Sequence, residues 1–349
     1  MPAPSFTNAI KSATALFERL MVIKTKETKL AVGVDIGSTS VKAVALGPRR
    51  GDGLRPVLGQ GFVPLQSGQD TDPSDAIRQA ISALRVPTNN VNLSVSGQWV
   101  IMRIVETPTL KPTELKRALP FEAQRYLPFN IQDVVLDGAI LGPADENKSW
   151  VVIVACKKDL LERRIDWVRR AGVWVDVIDV DALAFANGFL AAHPECADGN
   201  PVTRALINVG AQLTNLVILR GDVPYLIRDV PWGGEKLIRH AADQMGVETE
   251  ALKNELAAAQ GSPSAEAMSA LKLSGEALVN ELQLSFDYFE NRFNQAPSEL
   301  VVTGGLSQSP VFLDVLKSHL TQPVNAWVPC DGLTGQFAVA YGLALRGNT

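Results

Sequence analysis

Leu30-Ala-Val-Gly-Val-Asp-Ile-Gly-Ser-Thr-Ser-Val-Lys-Ala-Val-Ala-Leu46 decides how the rest of this chain is read. Leu30 to Val34 is a short apolar run of strand character. Asp35 and Gly37 break it, three hydroxyl residues follow, and a second apolar run starts at Val41. Strand, glycine-containing turn, strand is a hairpin pattern. The tip of this hairpin is made of groups suited to a phosphate. Gly37 allows close backbone approach, and successive N–H groups in such a turn form an anion-binding concavity. Ser38, Thr39 and Ser40 add hydroxyl donors, and Asp35 offers a carboxylate to a hydrated cation. The same residues also fit an ordinary hairpin with a polar tip, so the rest of the chain has to decide between the two.

Ala205 to Leu219 repeats the layout. Val34-Asp-Ile-Gly-Ser-Thr-Ser-Val-Lys42 and Ile207-Asn-Val-Gly-Ala-Gln-Leu-Thr-Asn215 align position by position. Such self-similarity indicates an internal duplication, here of a whole lobe. Two such hairpins facing each other would clamp a polyphosphate from both sides.

Bulk properties fit an α/β protein of two or more domains: 349 residues exceed one typical domain. A net charge of −4 gives no basic footprint for nucleic acid. Cys156, Cys196 and Cys330 stand far apart, without paired spacing for zinc or an iron–sulfur cluster, and read as reduced thiols of a cytosolic protein. No apolar run approaches the length of a membrane helix, and the N-terminus lacks the pattern of a signal peptide.

Residues 1–29 place Phe6, Ile10, Ala13, Phe17, Leu20 and Met21 at helical spacing, which suits a helix docked on its own protein, a partly ordered leader, or a helix that binds a partner or a membrane surface. Residues 30–98 read as a first lobe: the hairpin, a strand over Val57–Val63, a helix through Ile77 and Leu84, and a strand at Val91–Val95. Residues 99–172 read as a β-α-β-β-α insertion. Its first helix carries Leu115, Leu119, Ala123 and Tyr126 on one side, and Pro120 predicts a kink or break there. Residues 173–200 return to the first lobe with a strand and a helix. The second lobe spans 201–245, 246–298 and 299–323, with helices expected from Glu235, from Glu248 and over Ser274–Phe293, and a strand Leu300–Gly305. A final first-lobe segment, 324–349, has a helix over Thr334–Leu345 in which Gly335, Ala338 and Gly342 form a stripe for close helix packing.

The order of Asp35-Ile-Gly-Ser-Thr-Ser, Asn208-Val-Gly-Ala-Gln-Leu-Thr and Thr303-Gly-Gly-Leu-Ser resembles the two phosphate motifs and the adenosine motif of the actin-like ATPase superfamily. Asp179 to Asp181 and Gly335 to Leu345 look like its two connecting elements. Within it, Phe121-Glu-Ala-Gln-Arg-Tyr-Leu-Pro-Phe129 looks like the signature of the PilM family of type IV pilus assembly, and the insertion stands where PilM and FtsA carry theirs. The resemblance covers residues 30 to 346. It implies an actin-like fold of two duplicated lobes around a nucleotide cleft, holding ATP and Mg²⁺.

Carried over residue by residue, the resemblance gives Asp35 the hydrated metal. Gly37, Ser38, Thr39 and Ser40 would line the phosphates on one side, and Asn208, Gly210, Ala211, Gln212 and Thr214 on the other. Lys42 is either a phosphate ligand or a solvated strand lysine. Gly233, Gly234, Thr303, Gly304 and Gly305 would bracket the adenosine. Glu250 and Lys253, one helical turn apart, would face the adenine and ribose or pair with each other in solvent. Asn208 stands where many members of the superfamily have an acid, which lowers the expected metal affinity. Asp181 is the best positional candidate for a general base, and it also reads as a cap of the following helix. The expectation is nucleotide binding with slow or absent hydrolysis.

In that family setting the protein would be a cytoplasmic scaffold, peripheral at the inner face of the inner membrane. It would bind the N-terminal tail of a PilN-like protein near Phe121, Arg125, Tyr126 and Phe129, side chains that also read as core of the insertion. Other inner-membrane pilus components and self-association are the further partners implied. The alternatives are a small-molecule kinase or a dehydratase-activator-type ATPase of the same fold, or an FtsA-like division protein. No motif for the activator's cluster or for a kinase base is present, and no C-terminal amphipathic helix follows Arg346.

Overall fold

A computed structural model describes residues 30–50, 55–65, 72–197, 201–258 and 263–346. The expected helix within residues 1–29 lies outside them. The chain divides into two compact units: Met1–Pro194 with Asp222–Ile227 and Val339–Thr349, and Glu195–Gly221 with Arg228–Ala338.

The first unit opens with β1 (Ala31–Ile36), β2 (Ser40–Leu46) and β3 (Val57–Pro64), followed by α1 (Ser74–Ala83) and β4 (Asn90–Val95). β1 and β2 are near-continuous apolar runs because both faces of this sheet are covered. The insertion follows: β5 (Val100–Pro108), α2 (Pro112–Gln124), β6 (Val134–Asp145), β7 (Lys148–Lys157) and α3 (Lys158–Arg170). Then come β8 (Trp174–Val180) and α4 (Asp181–Ala192). The first sheet has the order β3-β2-β1-β4-β8. β1 and β2 are antiparallel, whereas β4 runs parallel to β1 and to β8. All of its parallel strands therefore end on one edge, where ligands of α/β sheets are held.

The insertion is a separate antiparallel sheet, β5-β7-β6. Leu115, Leu119 and Ala123 recur every fourth residue along α2 and pack on Val105, Val151 and Ile153. α2 starts at Pro112, and the Glu114 carboxylate accepts from the Lys111 N–H at 2.7 Å, closing one half of a capping box. Of the kink or break expected at Pro120, the break does not occur: α2 continues to Gln124. Pro120 lies on the exposed side of the helix, where the N–H it lacks is not needed for packing. Tyr126 falls beyond the helix end and off its apolar face.

The second unit repeats the sheet. β9 (Thr203–Val209) and β10 (Thr214–Arg220) form an antiparallel hairpin; β11 (Val223–Val230) follows, its residues to Ile227 counted with the first unit and the rest with the second. Next come α5 (Gly234–Met245), α6 (Thr249–Ala258), α7 (Ala265–Phe293), β12 (Glu299–Gly304), α8 (Pro310–His319) and β13 (Val324–Ala326). The order is β11-β10-β9-β12-β13, with β12 parallel to both β9 and β13. α7 starts well before the expected Ser274, because the Ser264 hydroxyl caps it by accepting from the Ala267 N–H at 3.1 Å.

The last helix, α9 (Ala338–Ala344), belongs to the first unit. Residues 335–337 ahead of it form a 3-10 turn, so the helix expected from Thr334 starts later. Gly342 packs on α4 so closely that a Cβ there would stand 1.8 Å from the Ala184 carbonyl oxygen. Gly335, expected in the same stripe, instead packs against the Ser307 hydroxyl of the second unit. No helix among the described residues is long and apolar enough to cross a membrane.

Candidate functional site

The β1–β2 register places Asp35 directly opposite Lys42 and Ile36 opposite Val41. Gly37, Ser38 and Thr39 form the turn, closed by the Gly37 N–H donating to the Ser40 carbonyl at 3.0 Å. Ser38 and Thr39 are exposed, whereas Ser40 is buried at the start of β2. The Lys42 Nζ lies 3.0 Å from Asp35 Oδ2, with the two side chains 15% and 10% exposed. Lys42 is thus not a solvated strand lysine. Its ammonium is held under the turn, 3.2 Å from where a Cβ on Gly37 would stand.

Four further charges converge on this end of the sheet. Ser94 and Asp179 are partners across β4 and β8, and Asp179 is 2% exposed. Asp179 Oδ1 accepts from the Val180 N–H at 2.7 Å, and its Oδ2 lies 3.5 Å from Arg346 Nε. Asp181 is the first residue of α4 and makes no capping bond. Burial pushes the Asp35 carboxyl above its usual value; Lys42 pulls it down, Asp181 pushes it up, and Arg164 pulls it down. Asp179 is raised in the same way, by burial first, against the pull of Arg346. Asp181 is therefore an electrostatic neighbour of both. Arg164, on α3, donates through Nη1 to the carbonyls of Ile36 (3.2 Å) and Ser94 (2.9 Å).

In the second unit the same register pairs Asn208 with Asn215, and the Gly210 N–H donates to the Leu213 carbonyl at 2.9 Å. The two hairpin turns are closed by equivalent bonds. The ion pair of the first is replaced here by amides: Asn208 donates to Asn215 at 2.9 Å, and Asn215 to Asp229 at 2.7 Å. Thr214 is fully buried and its hydroxyl donates to the Trp232 carbonyl at 2.8 Å, which takes it out of the expected phosphate-lining set. Ala211 remains at the turn, its carbonyl accepting from the Glu235 N–H, and Gln212 is exposed and donates to the Glu235 carboxylate at 3.0 Å.

The glycines expected around a nucleoside come together on this unit. Gly233 lies against the Gly210–Ala211 turn, where a Cβ would meet the Ala211 carbonyl oxygen at 2.5 Å. A Cβ on Gly234 would stand 3.4 Å from the Leu306 side chain. Gly304 has φ +93° and packs on Val209 and on the Asn208 side chain, so only glycine fits. Gly305 has open space around it. Thr303 lies below, 1% exposed, donating to the Gly335 carbonyl at 3.1 Å. Glu250 and Lys253 pair with each other at 3.2 Å on the exposed face of α6.

The insertion carries a different kind of surface. Phe121 is 76% exposed and Tyr126 36%, so neither fills the insertion's core. Arg125 lies 3.6 Å from Glu122 and is also exposed. Phe129 is half-buried against Trp99, with ring centroids 6.0 Å apart, and the Lys157 ammonium sits over both rings at 4.6 and 4.8 Å. Trp99, Lys157, Arg164 and Asp229 are absent from the sequence-derived set. Trp99 was the one with a local signal, an aromatic residue at the mouth of a strand.

A family model described as type IV pilus assembly protein PilM matches residues 33–348. Among solved structures, one described as the PilM-PilN type IV pilus biogenesis complex superposes with a TM-score of 0.78 at 24% identity, covering 91% of this chain and 98% of that one. The ethanolamine utilization protein EutJ from Carboxydothermus hydrogenoformans gives a TM-score of 0.55 at 14% identity, covering 97% and 100%. A Bacteroides thetaiotaomicron protein with an actin-like ATPase fold and unknown function gives 0.51 at 12% identity, covering 93% and 98%. The fold is that of the actin-like ATPases, as the order of the three motifs implied.

Proposed function

The chain belongs to the family of the type IV pilus assembly protein PilM, and from that premise we propose that it is an ATP-binding scaffold that captures the cytoplasmic tail of a PilN-like inner-membrane protein. The family match over residues 33–348 is the observation that carries this reading. A solved relative described as a complex of PilM with PilN supports the choice of partner.

The Gly37 turn takes the phosphates through its N–H groups and the exposed hydroxyls of Ser38 and Thr39. Asp35 fits a hydrated Mg²⁺, which keeps most of its waters and needs only one or two carboxylates beside phosphate oxygens. No cluster of three acidic, His or Cys side chains able to hold a bare metal exists among the described residues. The ion would neutralise phosphate charge, and Lys42 pulls the Asp35 carboxyl down against the burial that raises it. The glycine surface formed by Gly233, Gly234, Gly304 and Gly305 takes the flat nucleoside. The second hairpin has amides where the first has an ion pair, and Asp181 makes no bond that marks it as a base. Hydrolysis is therefore slow, below about one turnover per second, the low end of ordinary enzymes.

Phe121, Arg125, Tyr126 and Phe129 supply the anchor chemistry of a peptide-binding surface: two exposed aromatics, a half-buried one and an arginine. The protein then sits at the inner face of the inner membrane through its partner. A pull-down with a synthetic PilN-type cytoplasmic tail peptide tests the reading, with retention expected. Failure to retain it, with and without ATP·Mg²⁺, would remove the scaffold function.

A further inference from the structure

We propose that helix α3 is a relay between the Gly37 turn and the Trp99–Phe129 surface, with Arg164 as its contact at the turn and Lys157 as its contact at the surface. This rests on the Gly37 turn being the nucleotide site.

The turn end is built on one peptide group. The Ile36 carbonyl accepts from Arg164 Nη1 at 3.2 Å, and the same peptide unit carries the Gly37 N–H, which donates to the Ser40 carbonyl at 3.0 Å. A peptide unit is planar and moves as one body. A phosphate that draws the Gly37 N–H away from Ser40 therefore tilts the Ile36 oxygen against the guanidinium. Arg164 holds the Ser94 carbonyl at 2.9 Å with the same nitrogen, so it reads β1 relative to β4. Its Nε is buried without a hydrogen-bond partner. The guanidinium is thus not locked by a full set of bonds, and its planar fork converts a shift of one carbonyl into a rotation.

The other end of α3 is fixed to the insertion. Lys157 is the N-cap residue; its N–H donates to the Trp99 carbonyl at 3.2 Å and its ammonium sits over Trp99 and Phe129. The next residue, Lys158, donates to the Gln132 carbonyl at 2.6 Å. Seven residues of helix, about 10 Å, separate this anchor from Arg164. Farther along, Val168 and Ala171 pack in the core of the first sheet with Val34 and Ile36. One continuous helix thus bridges the first sheet and the aromatic surface, and a displacement of Arg164 is passed to Lys157 as a rigid movement. By linkage, a peptide bound at the surface alters nucleotide affinity by the factor with which nucleotide alters peptide affinity.

Calorimetric titration of ATP·Mg²⁺ combined with hydrogen–deuterium exchange of the full chain tests the relay. In the wild type, saturating ATP·Mg²⁺ changes exchange in residues 129–133 and 157–164 by at least about fivefold, the low end of ordinary coupling. In Arg164→Gln the heat of ATP binding persists and the response at 129–133 disappears. In Lys157→Met the response at 158–164 remains and the one at 129–133 disappears. Should Arg164→Gln fail to fold by circular dichroism, Arg164→Lys, which keeps the charge but not the planar fork, is expected to bind ATP with a diminished response. A full wild-type response in either Arg164 variant overturns the relay. ATP binding by the wild type with no response at 129–133 overturns the relay alone, whereas no ATP binding at all overturns the nucleotide reading with it.

Discussion

Lys42 and Asp35 face each other across the first hairpin at 3.0 Å, both nearly buried, where the second hairpin pairs Asn208 with Asn215. The same backbone frame thus carries a charged cross-strand pair in one unit and a neutral one in the other. Removing one member of a buried pair leaves an uncompensated charge, which is worse than removing both. Lys42→Met is expected to destabilise the first unit by about 3 kcal/mol at pH 7.5. It also removes a downward influence on the already raised Asp35 carboxyl. The penalty therefore shrinks as pH falls and Asp35 takes up a proton. Urea denaturation of wild type and variant at pH 7.5 and pH 5 reads both effects.

Gly304 and Gly305 are neighbours with opposite tolerance. At Gly304 the backbone is left-handed and a Cβ would meet the Val209 carbonyl oxygen at 2.4 Å; at Gly305 nothing stands within 4 Å. Gly304→Ala is expected to cost about 3 kcal/mol, from backbone strain plus overpacking, and to abolish nucleotide binding. Gly305→Ala should stay within about 0.5 kcal/mol of wild type. Thermal denaturation with and without ATP·Mg²⁺ separates the two.

Phe121 is the most exposed aromatic residue of the proposed partner surface. Phe121→Ala is expected to leave stability within about 0.5 kcal/mol while weakening capture of a PilN-type tail peptide about 30-fold, the scale of an interface hot spot. Fluorescence anisotropy with a labelled peptide measures the second effect. An unchanged affinity would exclude Phe121 from the surface.

Asp179 is buried and its carboxyl is raised, by burial before any other cause. The folded chain therefore binds this proton more tightly than the unfolded chain. The stability it contributes is present below the unfolded value and is lost as pH rises through the folded one. Asp179→Asn is expected to flatten the fall in stability from about pH 4 upward, by up to about 1.4 kcal/mol per pH unit. Denaturant midpoints measured across pH 4 to 7 test the sign as well as the size.

Local chemistry explains which parts of this structure were legible in the sequence. The two hairpins could be read because each turn is written in adjacent residues, whereas the register that sets Asp35 opposite Lys42 and Asn208 opposite Asn215 emerged only in the structure. Alternation and helical spacing likewise revealed the order of strands and helices from β5 to α3, with the α2 face of Leu115, Leu119 and Ala123. What stayed hidden depends on distant partners. Arg164 reaches Ile36 and Ser94 across 128 and 70 residues of chain, and nothing near it in sequence marks that role. Thr214 belongs to the turn by position, yet its hydroxyl is taken by Trp232. Phe121 and Tyr126 read equally well as core, and only packing shows that α2 ends before Tyr126 and turns Phe121 outward.

We propose that the Gly37 turn with Asp35 holds ATP·Mg²⁺. Calorimetric titration of ATP·Mg²⁺ into the wild type and into Asp35→Ala tests it most directly. Saturable binding by the wild type is expected, with an affinity at least about tenfold weaker in the variant, a loss of about 1.4 kcal/mol. Equal affinities in the two proteins, or no binding by the wild type, would contradict it.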